Sequence, residues 1–174
     1  MKTNALLLAG FVFLLTIPAV QAQPDAATMT RNALRDADSL IRVDSFENYS
    51  AYADLTPPSV IKYYGGKDAF VEHIRVARLR VTSTIAEPAP ELKVLQLLNV
   101  VNDEWQCVIR ESRYFHKADQ KYHLVTYFIG QSKDGGDDWR LFDVGYNKVS
   151  NIISMFPEIL GDLEIKEAVI QNIK

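Results

Sequence analysis

From residue 127 to residue 144 the chain reads YFIGQSKDGGDDWRLFDV, and this stretch decides the fold. Asp134, Gly135, Gly136 and Asp137 form a tight-turn signal between two apolar runs. A hairpin centred on Gly135 and Gly136 sets Ser132 opposite Trp139, whether its loop has two residues or four. Side chains alternate between the faces of a strand, so Leu124, Phe128, Trp139 and Leu141 then share one face with Asp143. Val125, Tyr127, Ile129, Phe142 and Val144 share the other. Both faces are largely apolar, whereas an antiparallel sheet commonly leaves one face in water. One face is therefore expected to pack on helices, and the other to be covered by the tail or by a second subunit.

The turn itself fits S-x-D-x-G-x-x-W, a pattern called an Asp-box in sialidases and related propellers. Its physics is local. The Asp side chain accepts from turn amides, Gly adopts a positive φ, and Trp packs back beneath the turn. That makes a brace and not a catalytic device, and a propeller of several four-stranded blades needs far more chain than 174 residues. The loop's three aspartates fall short of the six or more oxygens a hard cation requires, so no metal is expected.

Working outward, segments 93–101, 104–115, 122–133 and 139–146 suit strands, divided by turn signals at Asn102-Asp103, at 116–120 and at 134–137. Strands joined by short turns must run antiparallel. Upstream the period changes. Met29, Ala33, Leu34, Ala37, Leu40 and Ile41 recur at three- and four-residue spacing and predict an amphipathic helix. Asp44 and Glu47 read as a capping pair for a short second helix through Phe46, Tyr49 and Tyr52. Thr56-Pro57-Pro58 stops it, and a turn from Ser59 to Tyr64 ends at Gly65-Gly66. A third helix starts near Lys67 with the stripe Phe70, Ile74, Ala77 and Val81, and Pro88 and Pro90 break the helical pattern. A last short helix spans 149–156, with Leu160, Leu163 and Ile165 folding back as a clasp. Helices first and a meander afterwards define an α+β fold: about three N-terminal helices packed on a curved antiparallel sheet.

Residues 1–22 read as a signal peptide, with Lys2, an apolar core from Ala5 to Ile17, Pro18, and small residues before a cut at Ala22. The core is short for a spanning helix, which takes about 20 apolar residues. The expectation is an exported protein, periplasmic or secreted, with no membrane insertion after cleavage and one domain over 23–174. Loss of Lys2 takes the net charge from −3 to −4, which argues against nucleic acid as a partner. The basic residues Arg75, Arg78 and Arg80 read as a solvated helix face. Cys107 is the one cysteine, so no intrachain disulfide can form; within a strand it reads as a small buried hydrophobe. His73, His116 and His123 lack zinc spacing. No nucleophile elbow, phosphate loop or dinucleotide fingerprint occurs, and no cofactor is expected.

Two further stretches, Asp54-Leu55-Thr56-Pro57-Pro58-Ser59-Val60 and Tyr64-Gly65-Gly66-Lys67-Asp68-Ala69-Phe70, stand with the hairpin and with Phe156-Pro157-Glu158-Ile159-Leu160. Together they resemble the nuclear transport factor 2-like superfamily, in particular exported bacterial members. That resemblance implies a cystatin-like cone of helices on a curved sheet. The superfamily holds isomerases, dehydratases and cyclases beside non-enzymatic binding domains, and none of the enzymes' catalytic sets matches here residue by residue. Fold alone does not confer activity. The expected function is a non-catalytic domain binding a small, partly apolar molecule or a protein, with a second copy in a homodimer as an expected partner. His73, Arg110, Tyr127 and Asp143 are the candidate pocket residues, although strand parity separates Tyr127 from Asp143. The alternative is an isomerase, hydratase or cyclase type of enzyme, with Asp143 or His73 as base and a tyrosine as donor.

Overall fold

A computed structural model of the chain describes residues 25–79, 85–86, 89–117, 119–146 and 149–173. The expected leader, Arg80, Val81 and Pro88 lie outside them. Helix α1 is Ala26–Ser45, started by Asp25, whose carboxylate accepts from the Thr28 amide at 2.7 Å. Met29, Ala33, Ala37, Leu40 and Asp44 are its buried stripe. The two alanines let the helix lie close on the sheet. Helix α2, Tyr49–Asp54, is capped by Asn48, which accepts from the Ala51 amide. The capping pair read at Asp44 and Glu47 is therefore corrected: Asp44 belongs to α1, Glu47 takes φ 55°, and Phe46 stands exposed between the helices. Burial of Asp44, one turn beyond Leu40, outweighs its capping chemistry. Helix α3, Pro58–Tyr63, ends at Gly65 and Gly66 with φ of 90° and 112°, conformations that suit glycine. Helix α4, Lys67–Leu79, buries Phe70 and Ile74 as its stripe predicts.

The sheet is antiparallel and mixed with these helices in an α+β arrangement. Its strands are β1 (Ile85–Ala86), β2 (Glu91–Val101), β3 (Glu104–Lys117), β4 (Gln120–Ser132), β5 (Arg140–Asp143) and β6 (Val169–Ile173). Long β3 and β4 form the spine. One side of β3 carries β2 and β1, and β4 carries β5 and β6. The hairpin register is as read from the turn: Phe128 pairs with Asp143 and Ile129 with Phe142. The β3–β4 turn is tighter than read, since both strands run on through His116 and Lys121, which pair with each other. His116 is accordingly half-buried rather than exposed at a turn. β1 and β6 were not expected at all; neither segment has a strand-length alternating pattern.

Cys107, Ile109, Glu111, Phe128, Leu141 and Asp143 lie on the face under α1 and α2. The opposite face presents Gln106, Val108, Arg110, Tyr127, Ile129 and Phe142, and β5 ends before Val144, which enters a 3₁₀ turn. The tail covers that face, as one of the two expected solutions. A 3₁₀ turn at Val149–Asn151 leads into helix α5, Ile152–Met155, which buries Ile152 and Met155. Two glutamines then hold the following segment. Gln106 donates to the Glu158 carbonyl at 2.8 Å and accepts from the Leu160 amide at 2.9 Å. Gln96 repeats this four residues on, donating to the Asp162 carbonyl at 3.4 Å and accepting from the Glu164 amide at 2.8 Å. Each side-chain amide pairs with the tail as a neighbouring strand's backbone would, and Leu163, between the two residues that Gln96 holds, is buried.

Gln106→Leu would strand a carbonyl and an amide of the tail against an apolar face. Its expected cost is roughly 1–3 kcal/mol in urea unfolding, with faster hydrogen exchange at the Leu160 amide. Gln96→Leu, on a less buried glutamine, should cost less. Equal stability of wild type and Gln106→Leu would contradict the role given to this side chain.

Candidate functional site

Polar side chains occupy several positions that the patterns reserve for the core. Asp44 takes the next stripe position of α1 after Leu40. Glu111, Thr126 and Asp143 take helix-facing positions of β3, β4 and β5, and all are buried. Asp44, Glu111 and Asp143 line one gap with Tyr52, Arg113 and Phe128. The Thr126 hydroxyl donates to Asp143 Oδ1 at 3.1 Å, and the Gly145 amide donates to the same oxygen at 2.6 Å. Arg113 Nε lies 3.3 Å from Glu111 Oε1. Three carboxylates and one guanidinium thus line the gap beneath α1 and α2. The gap leaves about 10 Å³ for the centre of a water molecule, room for one water. Among the described residues no group of three or more His, Cys, Asp or Glu side chains is arranged to hold a metal ion.

The four candidate residues are not brought together. Asp143 belongs to the gap under the helices. Arg110 and Tyr127 are cross-strand partners on the opposite face, beneath the tail side. Arg110 Nη2 lies 3.4 Å from Glu91 Oε1, and Tyr127 is buried. His73 stacks on Tyr64 with ring centroids 4.4 Å apart, and the Tyr64 hydroxyl donates to Met155 Sδ at 3.6 Å. His73 therefore sits where α4 meets α3 and α5, and is absent from the lining of the gap. The structure divides His73, Arg110, Tyr127 and Asp143 between two faces and a helix junction, with Tyr127 and Asp143 on opposite faces as strand parity expects.

Asp44 and Glu111 were missed as site residues. The available signal was positional: a carboxylate at a stripe position of α1, and another between the core residue Ile109 and the arginine of an inward-facing strand row. A second pairing, Ser112 Oγ with His123 Nε2 at 2.8 Å, is also invisible without the β3–β4 register. His123 stacks on Tyr114, and among the described residues no carboxylate is hydrogen-bonded to its ring. A serine–histidine contact without an orienting acid is explained by its diagonal position on neighbouring strands.

The Ser132–Trp139 turn behaves as a brace. Ser132 Oγ accepts from the Gly136 amide at 2.9 Å, Asp134 Oδ1 accepts from the Asp138 amide at 3.1 Å, and Trp139 Nε1 donates to the Gly136 carbonyl at 3.1 Å. Helix α1 grips the same turn. Asn32 donates to the Gly136 carbonyl at 3.0 Å, Arg35 to the Asp137 carbonyl at 2.8 Å, and Asp36 accepts from the Trp139 amide at 2.9 Å. A Cβ on Gly136, whose φ is 95°, would stand 2.4 Å from Met29 Cγ. Cys107 is equally structural: burial pushes its thiol well above the ordinary range, against a smaller opposing effect of the Gly130 backbone, and it is fully enclosed. No protein-family model, no curated protein and no solved structure matches the chain.

Partial burial alone would raise the Asp134 carboxyl, but the Ser132 hydroxyl and the turn amides outweigh it and hold the group below its usual range. A depressed carboxyl stabilises the fold above its unfolded value, and that contribution is lost as pH falls through the folded one. The urea midpoint of wild type should therefore fall more steeply than that of Asp134→Asn between about pH 5 and pH 3. Parallel curves would contradict the brace.

Proposed function

We propose that the chain is an exported domain of the nuclear transport factor 2-like kind, its helices forming a cystatin-like cone over the sheet, and that it acts by binding and not by catalysis. One observation carries this reading: among the described residues, the gap beneath α1 and α2 lined by Asp44, Tyr52, Glu111 and Asp143 has room for one water. Binding then falls to the outer surface. A protein partner suits such a surface best. A small, partly apolar molecule would sit in the open groove between α3 and α5, beside Pro58, Tyr63, Ser154 and Pro157. Among the described residues no helix is long and apolar enough to cross a membrane, which is compatible with export as a free domain.

The enzymatic alternative draws on a different observation. Asp44, Glu111, Asp143 and Tyr52 converge on one gap, and buried carboxylates beside a phenol are the groups that acid–base chemistry employs. That reading needs the helices to open, since a gap of this size excludes a substrate.

Native mass spectrometry of protein purified from the periplasm separates the two. Surface binding predicts a mass with no small molecule retained by the interior. A co-purifying compound that is lost on denaturation, and also lost from Asp143→Asn, would overturn it in favour of an interior site.

A further inference from the structure

Among the described residues the sheet has four edge strands, and three of them are protected. At β5 the outward Leu141 amide donates to the Leu55 carbonyl at 2.8 Å, and Arg140 Nη1 reaches the Asp54 carbonyl at 3.1 Å, so the end of α2 closes that edge. β2 carries register shifts between Val94 and Gln96 and between Asn99 and Val101, with the exposed charges of Glu91 and Lys93 along it. β1 is two residues long. Bulges, charges, brevity and covering backbone are the devices that stop one sheet from pairing with another.

β6 has none of them. Val169–Ile173 reads VIQNI, without charge, proline or glycine. Its register with β4 runs unbroken from Lys121↔Ile173 to Val125↔Val169. All five residues are exposed, Ile170 at 61%. Among the described residues β4 is its one strand partner, so its other side presents a row of backbone donors and acceptors.

We propose that a second copy of the chain occupies this edge, β6 against β6, antiparallel about a two-fold axis through Gln171. A two-fold axis perpendicular to the sheet keeps each residue on its own face and makes the contact self-complementary. Val169 then meets the partner's Ile173, Ile170 meets the partner's Asn172, and Gln171 meets its own symmetry mate. Apolar residues face each other on one side, and the two glutamine amides can pair across the axis. Moving the register by two residues sets Ile173 against Glu167 in one direction and Ile170 against Lys174 in the other. The register centred on Gln171 pairs all five residues of β6 with one another, with no charged residue among them. The six-stranded sheet would become one sheet running through both copies. The dimer uses an edge and leaves the tail in place over its own face.

Light scattering and native mass spectrometry up to about 100 µM protein test this, a range that captures a weak contact of this length. Wild type should dimerise with increasing concentration. Gln171→Lys and Gln171→Glu, which place like charges on the axis, should each weaken the dimer tenfold or more, and a one-to-one mixture of the two should restore it. Gln171→Cys keeps a small neutral side chain and carries the test if a charged residue disturbs β6. Oxidation should link it into a covalent dimer, while Leu95→Cys on the β2 edge should stay monomeric. A wild type monomeric throughout overturns the proposal, as does a dimer that both charged variants leave intact and Gln171→Cys fails to trap. A monomer that retains an extended peptide on β6 overturns the dimer and leaves the surface-binding reading standing.

Discussion

A sheet that is apolar on both faces must be covered twice, and the rest of this structure follows from that demand. Exposed, either face would be a patch large enough to drive association or aggregation. Helices α1 and α2 cover one face, and the segment from α5 through Ile165 covers the other. The helices can do so because α1 offers alanines toward the sheet and because its stripe keeps apolar side chains in register with Leu97, Ile109 and Leu141. The tail has no such regular face. It is held instead by the paired amides of Gln106 and Gln96, which supply strand-like partners to a segment that never joins the ladder.

The same demand leaves little volume for a ligand. Trp139 is 2% exposed and fixed to the Gly136 carbonyl, and Gly130 has no side chain because a Cβ there would stand 2.6 Å from Cys107 Sγ. Close packing of this kind propagates from the brace at Ser132–Trp139 toward the centre of the sheet. Where it gives out, at the end of α1, polar groups take over. Asp143 is held by Thr126 and Gly145, and Glu111 lies beside Arg113. Buried carboxylates cost desolvation that apolar residues would avoid. Their retention is the one feature of the interior that packing does not explain.

The hairpin was legible because its turn chemistry is local. Asp134, Gly135 and Gly136 locate the loop, and alternation then sorts every residue of β4 and β5 between the faces. The stripes of α1 and α4 were legible for the same reason, since period and spacing lie within one segment. Asp44 was misread because Asp-x-x-Glu is a capping signature wherever it occurs, and only the packing of α1 on the sheet shows that burial decides the matter. β6 was not legible: VIQNI is too short and too irregular to signal a strand until β4 offers it an edge. The gap was hidden further still. Asp44, Glu111 and Asp143 come from α1, β3 and β5, and their meeting depends on the fold of the whole chain. The tail's function as a cover was foreseeable from Leu160, Leu163 and Ile165, but not the glutamines that attach it.

The proposed function requires a closed interior, with binding left to the surface. High-resolution diffraction from crystals of the natively purified protein tests it most directly, through the electron density in the gap lined by Asp44, Tyr52, Glu111 and Asp143. A filled interior predicts a single water-sized peak there, bonded to carboxylate oxygens. Extended density, with α1 or α2 displaced to admit it, would contradict the claim and establish an interior ligand site.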